Sequence, residues 1–263
     1  MIKVKDIAGA IEDFAPLPLQ ESYDNAGLQV GNPEMNVSAV LLCLDVTEEI
    51  LKEAESRNCN LIVSHHPLIF KGLKSLTGST PEQRIVMEAL QKGIAIYSAH
   101  TNLDSTFDGV SYEMASNLGL ENLTVLSPNP LDPKAGLGVI GETKMPIPNL
   151  EFLRKVKETF NVKALRYSGQ SQHFVVRKVA LCGGSGASLI GDAIKAGADV
   201  YLSGDIKYHD FTSYGHRIMI ADIGHYESEL CSRKILFRII REKFPDCIAY
   251  FSESENNPIK III

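Results

Sequence analysis

Apolar and polar positions along the chain follow two rhythms that take turns. Ile7, Ile11 and Phe14 recur at helical spacing and predict a short amphipathic helix over residues 4–14. Leu28 to Gly31 predicts a strand ended by Gly31-Asn32-Pro33, and the stretch from Val37 to Leu44 predicts an apolar one. Thr47 then stands where a helix N-cap belongs, with the helix reaching about Arg57, before Leu61 to Ser64 supplies the next strand. Strand, helix, strand in that order is a βαβ unit. A further helix is predicted from Pro81 in its first turn to Leu90, with Gly93 as its stop, followed by the strand Ile94 to Tyr97 and a helix near Gly109 to Leu118.

The turn-rich stretch Ser127-Pro128-Asn129-Pro130-Leu131-Asp132-Pro133 marks the expected domain boundary, giving domains at residues 1–126 and 127–263. The alternation then resumes with a strand from Leu137 to Ile140, a helix from Leu150 to Phe160 and a strand from Val179 to Cys182. After Gly183-Gly184-Ser185-Gly186 come a helix to Ala196 and strands at 199–202 and 218–221. One long helix to about Lys243 is expected next, with Leu230, Ile235, Leu236, Ile239 and Ile240 forming its apolar face. Cys247 to Phe251 closes the chain as a strand, and this last segment is expected to pack back on the first domain. The halves match in pattern, since Val40 to Leu44, helix, Ile62 to Ser64 answers Val179 to Gly183, helix, Tyr201 to Ser203. The predicted fold is therefore α/β, as two related, pseudo-duplicated α/β domains.

Composition narrows the function classes. With 263 residues, 44% of them hydrophobic and 22% charged, the chain has ordinary globular usage. The 26 basic and 32 acidic residues leave a formal charge of −6 and no basic run, so the footprint of a nucleic-acid binder is missing. Five cysteines without a Cys-x-x-Cys pair argue against a disulfide framework and against a cysteine zinc site. No apolar run reaches membrane-spanning length and the first residues lack a signal-peptide core, which predicts a cytoplasmic protein with no membrane partner.

The chemistry collects at strand ends. His65-His66-Pro67 follows one predicted strand, and each half has a third strand ending in His-x-x-x-carboxylate: His100 to Asp104 and His225 to Glu229. Residues four apart share one helix face, which is metal-ligand spacing. Taken singly, Asp104 would serve as a helix cap, Glu229 as a dipole partner and His225 as a surface histidine. Capping does not call for the same spacing twice beside a His-His pair, so the combination favours metal. Imidazole and carboxylate without thiolate suit zinc, iron, manganese, cobalt or nickel, and more than four candidate ligands suggest two divalent ions per chain. The Gly183 to Gly186 loop reads as a tight strand-to-helix turn ahead of a phosphate cradle. Asp205 and His209, near the pseudo-equivalent of the His-His strand end, are candidate substrate-facing residues.

Five motifs in order, Asp24 to Gly31, Ser64-His65-His66-Pro67, Ala99 to Asp104, Ser203-Gly204-Asp205 and Gly224-His225-Tyr226-x-Ser228-Glu229, resemble the Nif-three-like dinuclear-metal family, the GTP cyclohydrolase 1 type 2 homologues. The resemblance covers nearly the whole chain. It implies a two-metal site between two α/β domains, with His65, His66, Asp104, His225 and Glu229 as ligands and His100 as a further ligand or its supporting partner. It also implies a toroidal homohexamer and, as substrate, a purine nucleotide such as GTP, its imidazole ring opened by metal-bound hydroxide. Two departures stand out: Tyr23 replaces the tryptophan frequent in the family, and the extra domain many relatives carry between the halves is missing. Two other functions fit the same residues: a metal-dependent phosphoesterase, and a non-catalytic ring that stores or delivers metal or binds proteins.

Overall fold

The computed structural model describes residues 1–130, 132–169 and 174–262. Leu131, inside the turn-rich stretch, lies outside the described residues. The chain forms a mixed α/β fold with two sheets and two compact units, one of residues 1–103 with 232–257 and one of residues 104–231 with 258–263.

In the first unit, α1 (Val4–Phe14) leads to β1 (Gly27–Val30), β2 (Val40–Cys43), α2 (Glu48–Ser56), β3 (Leu61–Ser64), α3 (Pro81–Lys92) and β4 (Ala95–Ser98). The helix ends follow local chemistry. Thr47 and Thr80 accept from the backbone amides of Ile50 and Gln83, Pro81 opens α3, and Gly93 closes it at φ 65°. β2, β3 and β4 run parallel in register, and every one of their residues is buried, which is why they read as continuous apolar runs and not as alternation. Antiparallel β1 borders β4.

The chain passes into the second unit within α4 (Thr101–Ser105). There follow α5 (Val110–Asn117), β5 (Glu121–Asn129), β6 (Asp132–Pro148), α6 (Asn149–Thr159), β7 (Arg166–Tyr167), β8 (Val175–Leu181), α7 (Ile190–Lys195), β9 (Val200–Ser203), α8 (Tyr208–Tyr214), β10 (Met219–Asp222) and α9 (His225–Glu229). The sheet order is β5-β6-β8-β9-β10-β7, with β8, β9 and β10 parallel. The residues expected to form a turn-rich linker are strand on both sides: β5 and β6 pair antiparallel from Glu121↔Glu142 to Asn129↔Asp132. Bulges break the alternation of this hairpin, and only Leu126 of β5 is buried, so its pattern is faint.

The chain then returns to the first unit through α10 (Ser232–Lys243) and β11 (Ala249–Phe251), which adds parallel to β2. The single long helix expected after residue 225 is two helices, because α9 ends at Glu229 and α10 starts at Ser232, where the chain changes unit. No helix among the described residues is long and apolar enough to cross a membrane, and all five cysteines are free.

Candidate metal centre

The C-terminal ends of parallel strands are where α/β sheets present functional groups. In the first unit three neighbouring ends do so: β2 leads to Asp45, β3 to His65 and His66, β4 to His100. Hydrogen bonds from His65 N to the Cys43 carbonyl (3.2 Å) and His66 N to the Leu44 carbonyl (2.9 Å) extend the β2–β3 pairing past the strands and fix where the two imidazoles start. Ser64 Oγ lies 2.8 Å from Ser98 Oγ and donates to the His66 carbonyl at 2.8 Å. The side chain of Asn102 is buried between the His100 amide, which donates to its Oδ1 at 2.9 Å, and the Ala15 carbonyl, to which it donates at 2.7 Å. The three rings gather with centroids 5.2, 5.3 and 5.5 Å apart. One nitrogen from each lies within 4.8 Å of the other two, a spacing that fits one metal ion.

The proton on each ring is set by what its Nδ1 meets. His65 Nδ1 lies 2.7 Å from the Ala99 carbonyl, His66 Nδ1 2.8 Å from Asp45 Oδ1, and His100 Nδ1 2.7 Å from Asp24 Oδ1. Carbonyl and carboxylate oxygens only accept, so Nδ1 carries the hydrogen and Nε2 keeps its lone pair. Burial pushes the Asp24 carboxyl up, but hydrogen bonds from His100 and Thr101 outweigh it and hold the group down to about 2. Asp24 is thus an acceptor at any physiological pH.

The second unit repeats the scheme. His225 opens α9; its Nδ1 lies 2.8 Å from Asp205 Oδ2 and its Nε2 2.9 Å from Glu229 Oε2, one helical turn on. Asp205 holds that place from a left-handed conformation, φ 54°. Its loop is anchored by Asp222, which accepts from the amides of Ile206 (3.1 Å) and Gly224 (2.9 Å) and pairs with Arg166. Glu229 is 3% exposed, and one of its carboxylate oxygens lies within 4.8 Å of one from Asp104. His209 is exposed on α8, its ring edge-on to Tyr208.

The glycine loop makes this packing possible. A Cβ on Gly184, at φ 60°, would collide with Glu229 Oε1 and lie 3.5 Å from His225 Cε1. At Gly204 it would meet the His225 amide nitrogen at 2.7 Å. The amides of Gly183, Gly184 and Gly186 donate to the hydroxyls of Ser111, Ser228 and Ser203, so a tight turn around a carboxylate describes the loop better than a phosphate cradle. Burial, with the charges of Asp104 and Glu229 added, pushes the Cys182 thiol up to about 12. That leaves oxygen and nitrogen as the donors, a set that suits a borderline divalent ion.

The structure therefore gathers His65, His66 and His100 in one unit, and Asp104, His225 and Glu229 in the other. The sequence reading missed Asp24 and Asp45 as the groups that orient His100 and His66. Only Asp45 had a usable signal, a carboxylate just beyond the end of the strand next to the His-His strand.

A family model described as Duf34/NIF3 (NGG1p interacting factor 3) matches residues 2–258. A protein of Clostridium perfringens named GTP cyclohydrolase 1 type 2 homolog is 39% identical over 229 residues, covering 87% of each chain. A protein of the same name from Lactococcus lactis is 33% identical over 98% of both. Among solved structures, a hypothetical protein of Staphylococcus aureus superposes with a TM-score of 0.91 at 28% identity, over 99% of each chain. Reduced HcgD from Methanocaldococcus jannaschii superposes with a TM-score of 0.80 at 29% identity, over 96% of this chain and 98% of its own.

Proposed function

The chain belongs to the Duf34/NIF3 family, and from that premise we propose that it is a metal-dependent hydrolase with a dinuclear centre. The ligands are His65, His66, Asp104, His225 and Glu229, with His100 beside them as a further ligand or support. The observation that carries this reading is the treatment of the four imidazoles: each has Nδ1 committed to a carbonyl or carboxylate oxygen. A second partner of that kind is what orients metal-bound histidine and raises its basicity, whereas surface histidines need none.

Zinc, iron, manganese, cobalt and nickel all match the donor set. When bound, such a pair polarises the bond to be cut and lowers the pKa of water held there. The rest is work for the chain's own residues. Asp24, Asp45 and Asp205 keep the proton on Nδ1 of their histidines, and the 204–206 loop holds Asp205 against His225. His209 remains the candidate for facing substrate. The shared name of the relatives supports a purine nucleotide or another phosphate-containing compound as substrate. Assembly into a toroidal homohexamer belongs to the same proposal, as does duplication of an ancestral α/β domain. What supports duplication is that β2, β3 and β4 in one unit and β8, β9 and β10 in the other are neighbouring parallel strands in chain order, with His-x-x-x-carboxylate following the third of each set.

Metal-reconstituted protein assayed by elemental analysis and on a panel of GTP and generic phosphoesters tests the reading. Two ions per chain with GTP turnover abolished by His65→Ala and Glu229→Ala supports it. Turnover confined to phosphoesters moves the assignment to a phosphoesterase. Two ions without turnover on any substrate makes the protein a binder of metal, and less than one ion per chain ends all three.

A further inference from the structure

Immediately after the His65-His66 strand end, the chain runs along a cavity of about 510 Å³, within the range of small-molecule sites. It is lined by Pro67, Phe70, Lys71 and Lys74 on one side and by Glu82 and Gln83 of α3 on the other. Phe70 ties the cavity to the histidines: its ring is edge-on to His100 at 6.1 Å and continues to Tyr23 at 6.3 Å, yet 43% of Phe70 and 63% of Tyr23 is exposed. The exposed Phe70 ring, beside candidate metal ligands, offers a stacking face.

The polar lining is mostly of donors. Gln83 is 8% exposed, and its Oε1 accepts from Thr77 N, Thr77 Oγ1, Ser79 N and Ser79 Oγ at 3.0–3.1 Å. With the oxygen filled by the 77–79 loop, the NH₂ is what Gln83 offers the cavity. Among the described residues neither Lys71 nor Lys74 takes part in an ion pair. Glu82 is the one acid in the lining, and its carboxylate is engaged by the Thr80 hydroxyl. Two lysines and a buried glutamine amide lining one cavity beside the exposed Phe70 ring match a ligand with a phosphate chain and a planar ring.

We propose that this cavity is the substrate-anion subsite, with Lys71, Lys74 and Gln83 gripping a phosphate chain and Phe70, backed by Tyr23, stacking on the attached ring. The assignment rests on the hydrolase reading for the word substrate, but the anion site stands on its own residues. The test is calorimetric titration of the metal-loaded protein with inorganic tripolyphosphate, GTP and guanosine. The wild type is compared with Lys71→Ala/Lys74→Ala and with Phe70→Ala at equal metal content. The lysine variant is expected to lose at least tenfold in affinity for tripolyphosphate and GTP and to show a weaker salt dependence. Phe70→Ala is expected to weaken GTP and guanosine while leaving tripolyphosphate unchanged. Any contribution of the metals to phosphate affinity is common to both proteins, so the difference reads the lysines. Tripolyphosphate binding the lysine variant as tightly as the wild type, or failing to bind the wild type, overturns the subsite. Absence of turnover on every substrate, with lysine-dependent tripolyphosphate binding intact, overturns the hydrolase reading and leaves the subsite standing.

Discussion

Gly184→Ala is the sharpest single test of how the candidate metal centre is built. Gly184 sits at φ 60°, a conformation that costs an L-residue about 1 kcal/mol. Its new methyl would collide with Glu229 Oε1 and come within 3.0 Å of Glu229 Cδ. Glu229 is 3% exposed, so its carboxylate has no solvent to retreat into, and displacing such a group from its partners costs about 2 kcal/mol more. The sum, about 3 kcal/mol, is roughly a hundredfold in the folded-to-unfolded ratio of the second unit. Urea unfolding followed by circular dichroism measures it, and chelator competition on the folded protein should show weaker metal retention as Glu229 is pushed aside. Gly191→Ala is the control. Gly191 lies in α7, where an added methyl would meet no atom within 4 Å, so alanine there should be neutral or stabilise by up to about 1 kcal/mol. If Gly184→Ala matches the wild type in urea midpoint and in metal retention, the loop is not shaped around Glu229 and the reasoning fails.

Asp45→Asn and Asp205→Asn, which remove the carboxylates bonded to His66 and His225, should each weaken metal binding about 10- to 100-fold with little change in fold; competition with a chromophoric chelator measures this. Glu53 accepts from the amides of Glu253 and Ser254 and from the Ser252 hydroxyl, and despite burial these bonds hold its carboxyl down from 4.5 to about 2. A lowered folded-state pKa stabilises above the unfolded value, so ~3 kcal/mol should be present above about pH 4.5 and drain away as pH falls toward 2. Urea midpoints across that window should fall less steeply for Glu53→Gln, and equal slopes would refute the assignment. Arg233 pairs at 2.6 Å with Glu255, which is 4% exposed at its side chain; Arg233→Ala strands that carboxylate and should destabilise the first unit by about 3–5 kcal/mol in denaturant, with Arg233→Met/Glu255→Gln recovering part of the loss.

The candidate ligands were legible because their signal is local. His65-His66 ends an apolar run, and His100 to Asp104 and His225 to Glu229 repeat one spacing, so strand ends and helix geometry alone assembled the set. Asp24 was not legible as the partner of His100, since 76 residues separate them and no period links a carboxylate in one loop to an imidazole in another. The parallel strands were readable from continuous burial, whereas β7, two residues long, and β5, bulged and with a single buried residue, carry too little pattern to register. The role of Asp205 needed coordinates, because a carboxylate two positions past a strand reads equally as facing substrate or as serving a neighbouring ring.

β11 covers the edge of β2, and that pairing has a consequence in time. The apolar strand Val40–Cys43 leaves the ribosome some 200 residues before Ala249 exists to pair with it, an interval of roughly 10–40 s at ordinary elongation rates. During that period β3, β4 and the residues of the second unit up to 231 are made, while the outer side of β2 stays unpaired. Synthesis, and not thermodynamics, then sets the order of events: the segment that covers β2 is delivered only after residues 104–231, and a chain stalled before it offers an unpaired strand to whichever chaperone, protease or neighbouring polypeptide reaches it first.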